Sequence, residues 1–229
     1  MVPRIVKFTA GFIGGTAAEA ALIALGWKYY TKDTKFVPFT SSSADFTSPI
    51  AKKLNPFSNP PVCIDHAVRT VPLSQLRTTD EKDLTTDFCR NIWAGPGFAL
   101  QRIYLARKYK ALSGREKHLW EKDELKISEY PVGTILVDHF EVVDRTPNKV
   151  TVRCGDSPLI REPRPSDGLF TIEVTKDEAN ETATFHLKSI FVNTSAAGKD
   201  AQPLPDNFIW AHKEYSKLWM ETSVRKLLK

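Results

Sequence analysis

Cysteine is scarce in this sequence: Cys63, Cys89 and Cys154 are the only three in 229 residues, and no two form a C-x-x-C pair. That spacing speaks against a zinc or thioredoxin-type site and against a disulfide scaffold. Isolated thiols of this kind read as buried apolar side chains in a reducing compartment. Excess charge is also short. Lys and Arg number 32 against 27 Asp and Glu, a net +5, and no RNP, zinc-finger or KH pattern accompanies it, so nucleic acid is not an expected partner. There is no glycine-rich phosphate loop, no G-x-S-x-G and no recognisable carboxylate pair. His66, His118 and His186 have no metal-ligand spacing with any other residue. Neither a metal nor a cofactor is expected. What is present is ordinary globular composition, 41% hydrophobic and 26% charged, which excludes disorder and collagen as readings of the whole. The triplets at Asn180 and Asn193 match the glycosylation pattern, but such triplets arise often by chance and are not read as secretion.

The most apolar run is Ile5 to Trp27. As a helix it would measure about 34 Å at 1.5 Å per residue, enough for a hydrocarbon core of about 30 Å. Arg4 and Lys7 flank one end, and Trp27, Lys28, Tyr29, Tyr30 and Lys32 form an interfacial border at the other. Gly11 and Gly15 make a G-x-x-x-G. Glu19 inside the run is costly in lipid. A retained single-pass anchor is the leading reading; a targeting segment and a helix buried in the protein are the alternatives. Lys28, Lys32 and Lys35 place the main domain on the cytosolic or matrix side. The expected organisation is a membrane anchor over 1–30, a Pro/Ser-rich tether over 31–61 and one folded domain over 62–229.

Within that domain Asp80 to Cys89 reads as a helix with an acidic first turn, broken by Gly95-Pro96-Gly97. A second helix is expected over Ala99 to Leu112, with Leu100, Ile103 and Tyr104 on one face and a basic side that includes Arg102, Lys108 and Lys110. Glu116 to Ile127 reads either as a short helix or as a solvated loop. After Pro131 the period changes to two: Thr134 to Val143, Lys149 to Cys154, Leu169 to Thr175 and Thr182 to Val192 are strands joined by short turns, an antiparallel meander with one buried face. Asp138 and His139, adjacent on the first of these, should point to opposite faces. A final helix from Asp206 or Asn207 to Leu228 carries Phe208, Ala211, Tyr215, Leu218, Trp219 and Thr222 on one stripe, which suits a helix lying across the sheet.

This layout resembles the START-like (SRPBCC, helix-grip) domains, and its order of features is similar to a DUF2867-like family of fungal and bacterial proteins. The resemblance spans roughly residues 62 to 229. It rests on Cys63-Ile64-Asp65-His66, Trp93-Ala94-Gly95-Pro96-Gly97-Phe98, Leu100 to Leu105, Val137 to Val142 and Arg225-Lys226-Leu227-Leu228, with Trp210-Ala211-His212 one residue away from the family's aromatic-His pair. It implies an α+β fold: a curved antiparallel sheet with a long C-terminal helix across it, preceded here by the N-terminal hydrophobic helix. It further implies an apolar cavity between sheet and helix, with Trp93, Phe98, His139, His212, Tyr215 and Trp219 as candidate ligand-binding residues. The expected function is membrane-tethered binding of an apolar small molecule, a lipid or a polyketide- or terpenoid-like metabolite. An isomerase or cyclase on the same scaffold, and an accessory subunit of a membrane complex, are the alternatives. A basic stretch, Arg102 to Lys117, reads as a solvated face or as a contact for anionic headgroups. No feature of the sequence bears on oligomeric state.

Overall fold

The computed structural model describes residues 17–229 and divides into two compact units, one ending at Asp33 and one running from Thr34 to Lys229. The first contains helix α1 (Ala17–Tyr30). Its end is capped by Thr31, whose N–H and Oγ1 both donate to the Trp27 carbonyl at 2.9 Å. Most of the apolar run from Ile5 lies outside the described residues. At 14 residues α1 is about 21 Å long; among the described residues, no helix is long and apolar enough to cross a membrane.

In the second unit the elements follow in the order β1 (Lys35–Phe36), α2 (Ala44–Thr47), α3 (Pro49–Leu54), β2 (Pro61–Pro72), α4 (Glu81–Trp93), α5 (Pro96–Tyr109), α6 (Lys122–Ile127), β3 (Ile135–Leu136), β4 (Phe140–Thr146), β5 (Lys149–Gly155), β6 (Asp167–Asp177), β7 (Thr182–Val192) and α7 (Asp206–Val224). They build an α+β fold around an open seven-stranded antiparallel sheet of order β1-β2-β7-β6-β5-β4-β3. The run from β3 to β7 is the expected meander. β2 then joins its far side, pairing with β7 from Val71↔Ala183 to Cys63↔Phe191.

Three sequence expectations are corrected here. Residues 34–61 are no tether: β1 pairs with β2, Asn59 donates to the carbonyls of Asn193 and Ser195 at 2.8 and 2.7 Å, and Phe46, Ala51 and Leu54 face Leu169, Ile190 and Val192 on the sheet's outer side. The prolines there start structure as well as interrupt it. Pro49 opens α3, and the preceding Ser48 hydroxyl caps the Ala51 N–H at 3.1 Å. Second, Thr134 to Val143 is not one strand but the hairpin β3–β4. Third, α5 turns the other way from expectation: Phe98 and Leu105 are buried, whereas Leu100, Ile103 and Tyr104 are exposed.

The core lies between the sheet's inner face and α4, α5 and α7. Trp93 sits at its centre, its ring 5.1 Å from Phe98, 4.7 Å from Phe140 and 5.4 Å from Trp219. Gly97 lets α5 approach α7 closely, since a Cβ there would meet Trp219 and Thr222 at about 3 Å. All three cysteines are free and buried. Burial pushes Cys63 up to about 11, and Cys89 and Cys154 up to about 12, so none offers a thiolate at neutral pH.

Candidate functional site

Two core-facing charges on β2 fix where α7 lies. Alternation turns Cys63, Asp65, Ala67, Arg69 and Val71 inward, so Asp65 and Arg69 are buried polar side chains that need partners on the covering helix. Arg69 Nη1 lies 2.7 Å from Glu221 Oε2; Thr34 Oγ1 donates to Glu221 Oε1 at 2.6 Å, and Arg225 Nε donates to Oε2 at 3.1 Å. Asp65 Oδ2 lies 2.9 Å from His212 Nε2. That contact has the length of an ion pair but not the angle of a hydrogen bond, and neither Asp65 oxygen receives a hydrogen bond among the described residues.

Between α7, α5 and the sheet opens a cleft of about 560 Å³. Its walls are mostly aromatic: Phe140, Phe170 and Phe191 from the sheet, Phe208, Tyr215 and Trp219 from α7. The polar groups are few, namely Gln101, His139, Ser166, His212 and Ser216, beside Ala211, Gly155 and the neutral thiol of Cys154. A cavity of this size with a few placed polar groups is how small-molecule sites are usually built. Tyr215 donates its hydroxyl to Gln101 Oε1 at 3.0 Å, which ties α7 to α5 across the cleft and leaves the Gln101 amide N–H groups as donors. Burial raises the Tyr215 pKa, so the phenol stays protonated.

His139 reaches the cleft through a strained turn. Val137 and Asp138 have φ of +46° and +58°, left-handed values that cost roughly 1–2 kcal/mol for an L-residue, most for a β-branched one. The surroundings hold them there. Val137 N–H donates to the Leu119 carbonyl at 3.1 Å, and buried Asp138 accepts from Arg115 Nε at 3.0 Å and from Ser157 Oγ at 2.7 Å. This turn resets the alternation, so that the neighbours His139 and Phe140 both line the cleft, contrary to the opposite faces expected for residues 138 to 140 on one strand. The His139 ring packs 5.3 Å from Tyr109, with Nδ1 2.9 Å from the Asp138 carbonyl. Burial lowers its pKa, outweighing the Asp138 contacts, and leaves the ring neutral at pH 7.

Of the residues expected at a ligand site, His139, His212, Tyr215 and Trp219 line this cleft. Trp93 and Phe98 do not; both are fully buried behind Trp219 and Phe140. Gln101, Phe170, Phe191, Phe208 and Ser166 were not foreseen. Phe191 shares the inward alternation of β7 and Phe208 the stripe of α7, so a signal existed for those two; Gln101 and Ser166 depend on helix placement and a loop.

Ser189, His212 and Asp65 do not make a nucleophilic relay. Ser189 Oγ, at 3.2 Å, and Asp65 Oδ2 approach the same ring nitrogen, Nε2, whereas a triad places them on opposite nitrogens. Ser189 is also fully buried. On the outer face of the sheet, residues without ligand spacing in sequence meet in space: His66 Nε2 and His186 Nδ1 are 2.9 Å apart, and His186 Nε2 bonds Thr175 Oγ1 at 2.9 Å. No third ligand joins them; among the described residues no group of three or more His, Cys, Asp or Glu is placed to hold a metal. Comparison of the chain with protein-family models, with characterised proteins and with solved structures returns no match.

Proposed function

We propose that this protein binds an apolar small molecule, a lipid or a polyketide- or terpenoid-like metabolite, in the cleft under α7, on a domain held at a membrane by its N-terminal apolar run. The observation that carries the proposal is the cleft: about 560 Å³, walled by six aromatic rings, with a handful of polar groups and no lysine or arginine in its lining. The order of elements, the long strand β2 beside the last strand of a meander with the C-terminal helix on the inner face, supports a helix-grip reading in which such a cleft is the working part. The test is a fluorescent apolar probe, Nile red, titrated into the full chain. Ala211→Trp fills the cleft mouth and should abolish its saturable binding; equal binding by that variant would remove the cleft from the argument.

The membrane part has its own support. Leu100, Ile103 and Tyr104 sit at i, i+3 and i+4 on the outward side of α5, with Arg107 and Lys108 one turn further and Gln101 of the same helix in the cleft wall. Lys108 Nζ lies 5.8 Å over the Tyr104 ring and 5.0 Å over Tyr109. An apolar and basic face suits an anionic lipid surface, with the main domain on the cytosolic or matrix side. Extraction of full-length protein from membranes by alkaline carbonate would dismiss the anchor. A second reading, an isomerase or cyclase in the same cleft, draws on one observation: neutral His139 is an acceptor able to take a proton from a bound substrate. An accessory subunit would be favoured by a cavity filled with side chains, and the cleft is open.

A further inference from the structure

Three features of the cleft constrain the chemistry of what enters it. The first is the tautomer of His139. Its Nδ1 lies 2.9 Å from the Asp138 carbonyl, and a carbonyl oxygen only accepts, so Nδ1 carries the proton. In a neutral imidazole this leaves Nε2 as a lone-pair acceptor. Nε2 makes no hydrogen bond among the described residues, so it is the ring nitrogen left for a ligand.

The second is rigidity. The ring stands on the strained turn, with His139 N–H donating to the Leu136 carbonyl at 3.1 Å and Asp138 fastened by Arg115 and Ser157. Its position is set before any ligand arrives.

The third is charge. No lysine or arginine lines the cleft, and the lining residue His212 lies 2.9 Å from Asp65. Asp65 is an acid, so it adds no cation to the cleft. A carboxylate or phosphate ligand would therefore be desolvated without a counter-charge.

Resting on the cleft reading above, we infer that the ligand is a neutral alcohol or phenol, an apolar body whose hydroxyl donates to His139 Nε2. The Gln101 amide and the Tyr215 oxygen are a second polar point on the opposite, helical wall.

The experiment compares three probes of one chain length, 1-decanol, decyl methyl ether and decanoate, each displacing Nile red from the full chain at pH 7.5. 1-Decanol should bind about threefold to tenfold more tightly than the ether, the worth of one net hydrogen bond, and decanoate should bind more weakly than 1-decanol. In His139→Phe, which keeps the bulk and loses the acceptor, alcohol and ether should become equal. His139→Gln, which retains an acceptor, should recover part of the difference. Equal affinity of alcohol and ether in the native protein, or tighter binding of decanoate, would overturn the inference and leave the cleft standing. No displacement by any of the three, with Nile red itself unbound, would sink both. Should the variants fail to fold, ¹⁵N shifts of the His139 ring in the native protein decide the matter: a protonated Nδ1, and an Nε2 resonance that moves with 1-decanol but not with the ether, are the expected signals. A protonated Nε2, or an Nε2 blind to 1-decanol, contradicts the assignment.

Discussion

Replacing Glu221 with Ala perturbs the fastening of α7 more directly than any other single change. The carboxylate is fully buried and collects three donors: Arg69 at 2.7 Å, Thr34 at 2.6 Å and Arg225 at 3.1 Å. Its Arg69 partner is also buried, with a side chain 7% exposed. The variant thus removes one member of a buried ion pair. Removing one member of a buried pair costs about 3–5 kcal/mol. For a unit of this size each kcal/mol lowers Tm by about 2–4 °C, so a fall of about 6–20 °C is expected in a circular-dichroism melt. The paired change Arg69→Met with Glu221→Leu removes both charges and fills the space. It should recover most of the loss, because the desolvation penalty of the two ions disappears with their attraction. A Glu221→Ala variant that melts within about 2 °C of the native protein would refute the burial argument. So would a double variant as unstable as the single one, since the cost would then not lie in the broken ion pair.

Three further outcomes follow from the same geometry. Trp219→Ala removes a ring packed within 5.0–5.6 Å of Trp93, Phe98, Phe170 and Tyr215 and should cost about 3–5 kcal/mol in a urea titration while weakening Nile red binding; unchanged stability and binding together would mean that α7 does not pack this way. A chain starting at Thr34 should melt cooperatively, whereas one starting at Pro61 should lose several degrees or aggregate, because β1 and the α2–α3 cover go with the deletion; equal melting of the two is the adverse result. Acid should destabilise the fold between pH 6.5 and about 4. Burial foremost, helped by His66 and Lys188 against the opposing pull of Glu173 and Asp45, lowers His186 to about 4. The unfolded chain therefore takes up that proton first, and stability is intact above pH 6.5 and falls as pH drops, by about 1.4 kcal/mol per pH unit for one histidine. Asp167, although burial opposes it, is held below its ordinary range by Arg153 and Arg164 and so acts only at still lower pH. His186→Gln should flatten the slope measured by urea unfolding at pH 7.5, 5.5 and 4.5, and an unchanged slope would contradict the assignment.

The parts of the fold that could be read from sequence are those whose buried face carries no charge and is almost wholly apolar. β5, β6 and β7 alternate cleanly, and Phe185, Leu187, Ser189 and Phe191 share the face expected of them. β2 escaped notice as a strand of 12 residues because Asp65 and Arg69 occupy core-facing positions and break the apolar alternation; their partners, His212 and Glu221, lie far along the chain. Periodicity located α5 but not its orientation. Leu100, Ile103 and Tyr104 make the better apolar stripe, yet the helix is docked by Phe98, Leu105 and the bare backbone of Gly97, a close contact that a hydrophobicity pattern does not register. Three of the six candidate site residues, His212, Tyr215 and Trp219, fall together because α7 is amphipathic and its cleft face is its aromatic stripe, and His139 joins them through the turn before β4. Trp93 and Phe98 fell behind that surface: burial depth depends on how many layers cover a residue, and one-dimensional spacing carries no depth.

The pairing of β2 with β7 has a kinetic consequence. His66 meets His186 across 120 positions, and Thr34 reaches Glu221 across 187. Loops of that length must close before β2 gains a neighbour on its inner edge, and closure entropy is spent before the contacts reward it. During synthesis the stretch from Thr34 through β2 therefore waits, its apolar face uncovered, until the last helix has left the ribosome. Such a chain folds slowly and late, and a stop between Val192 and Asp206 yields a sheet that lacks α7, with Glu221 missing from its place beside Arg69 and the aromatic floor of the cleft open to other chains.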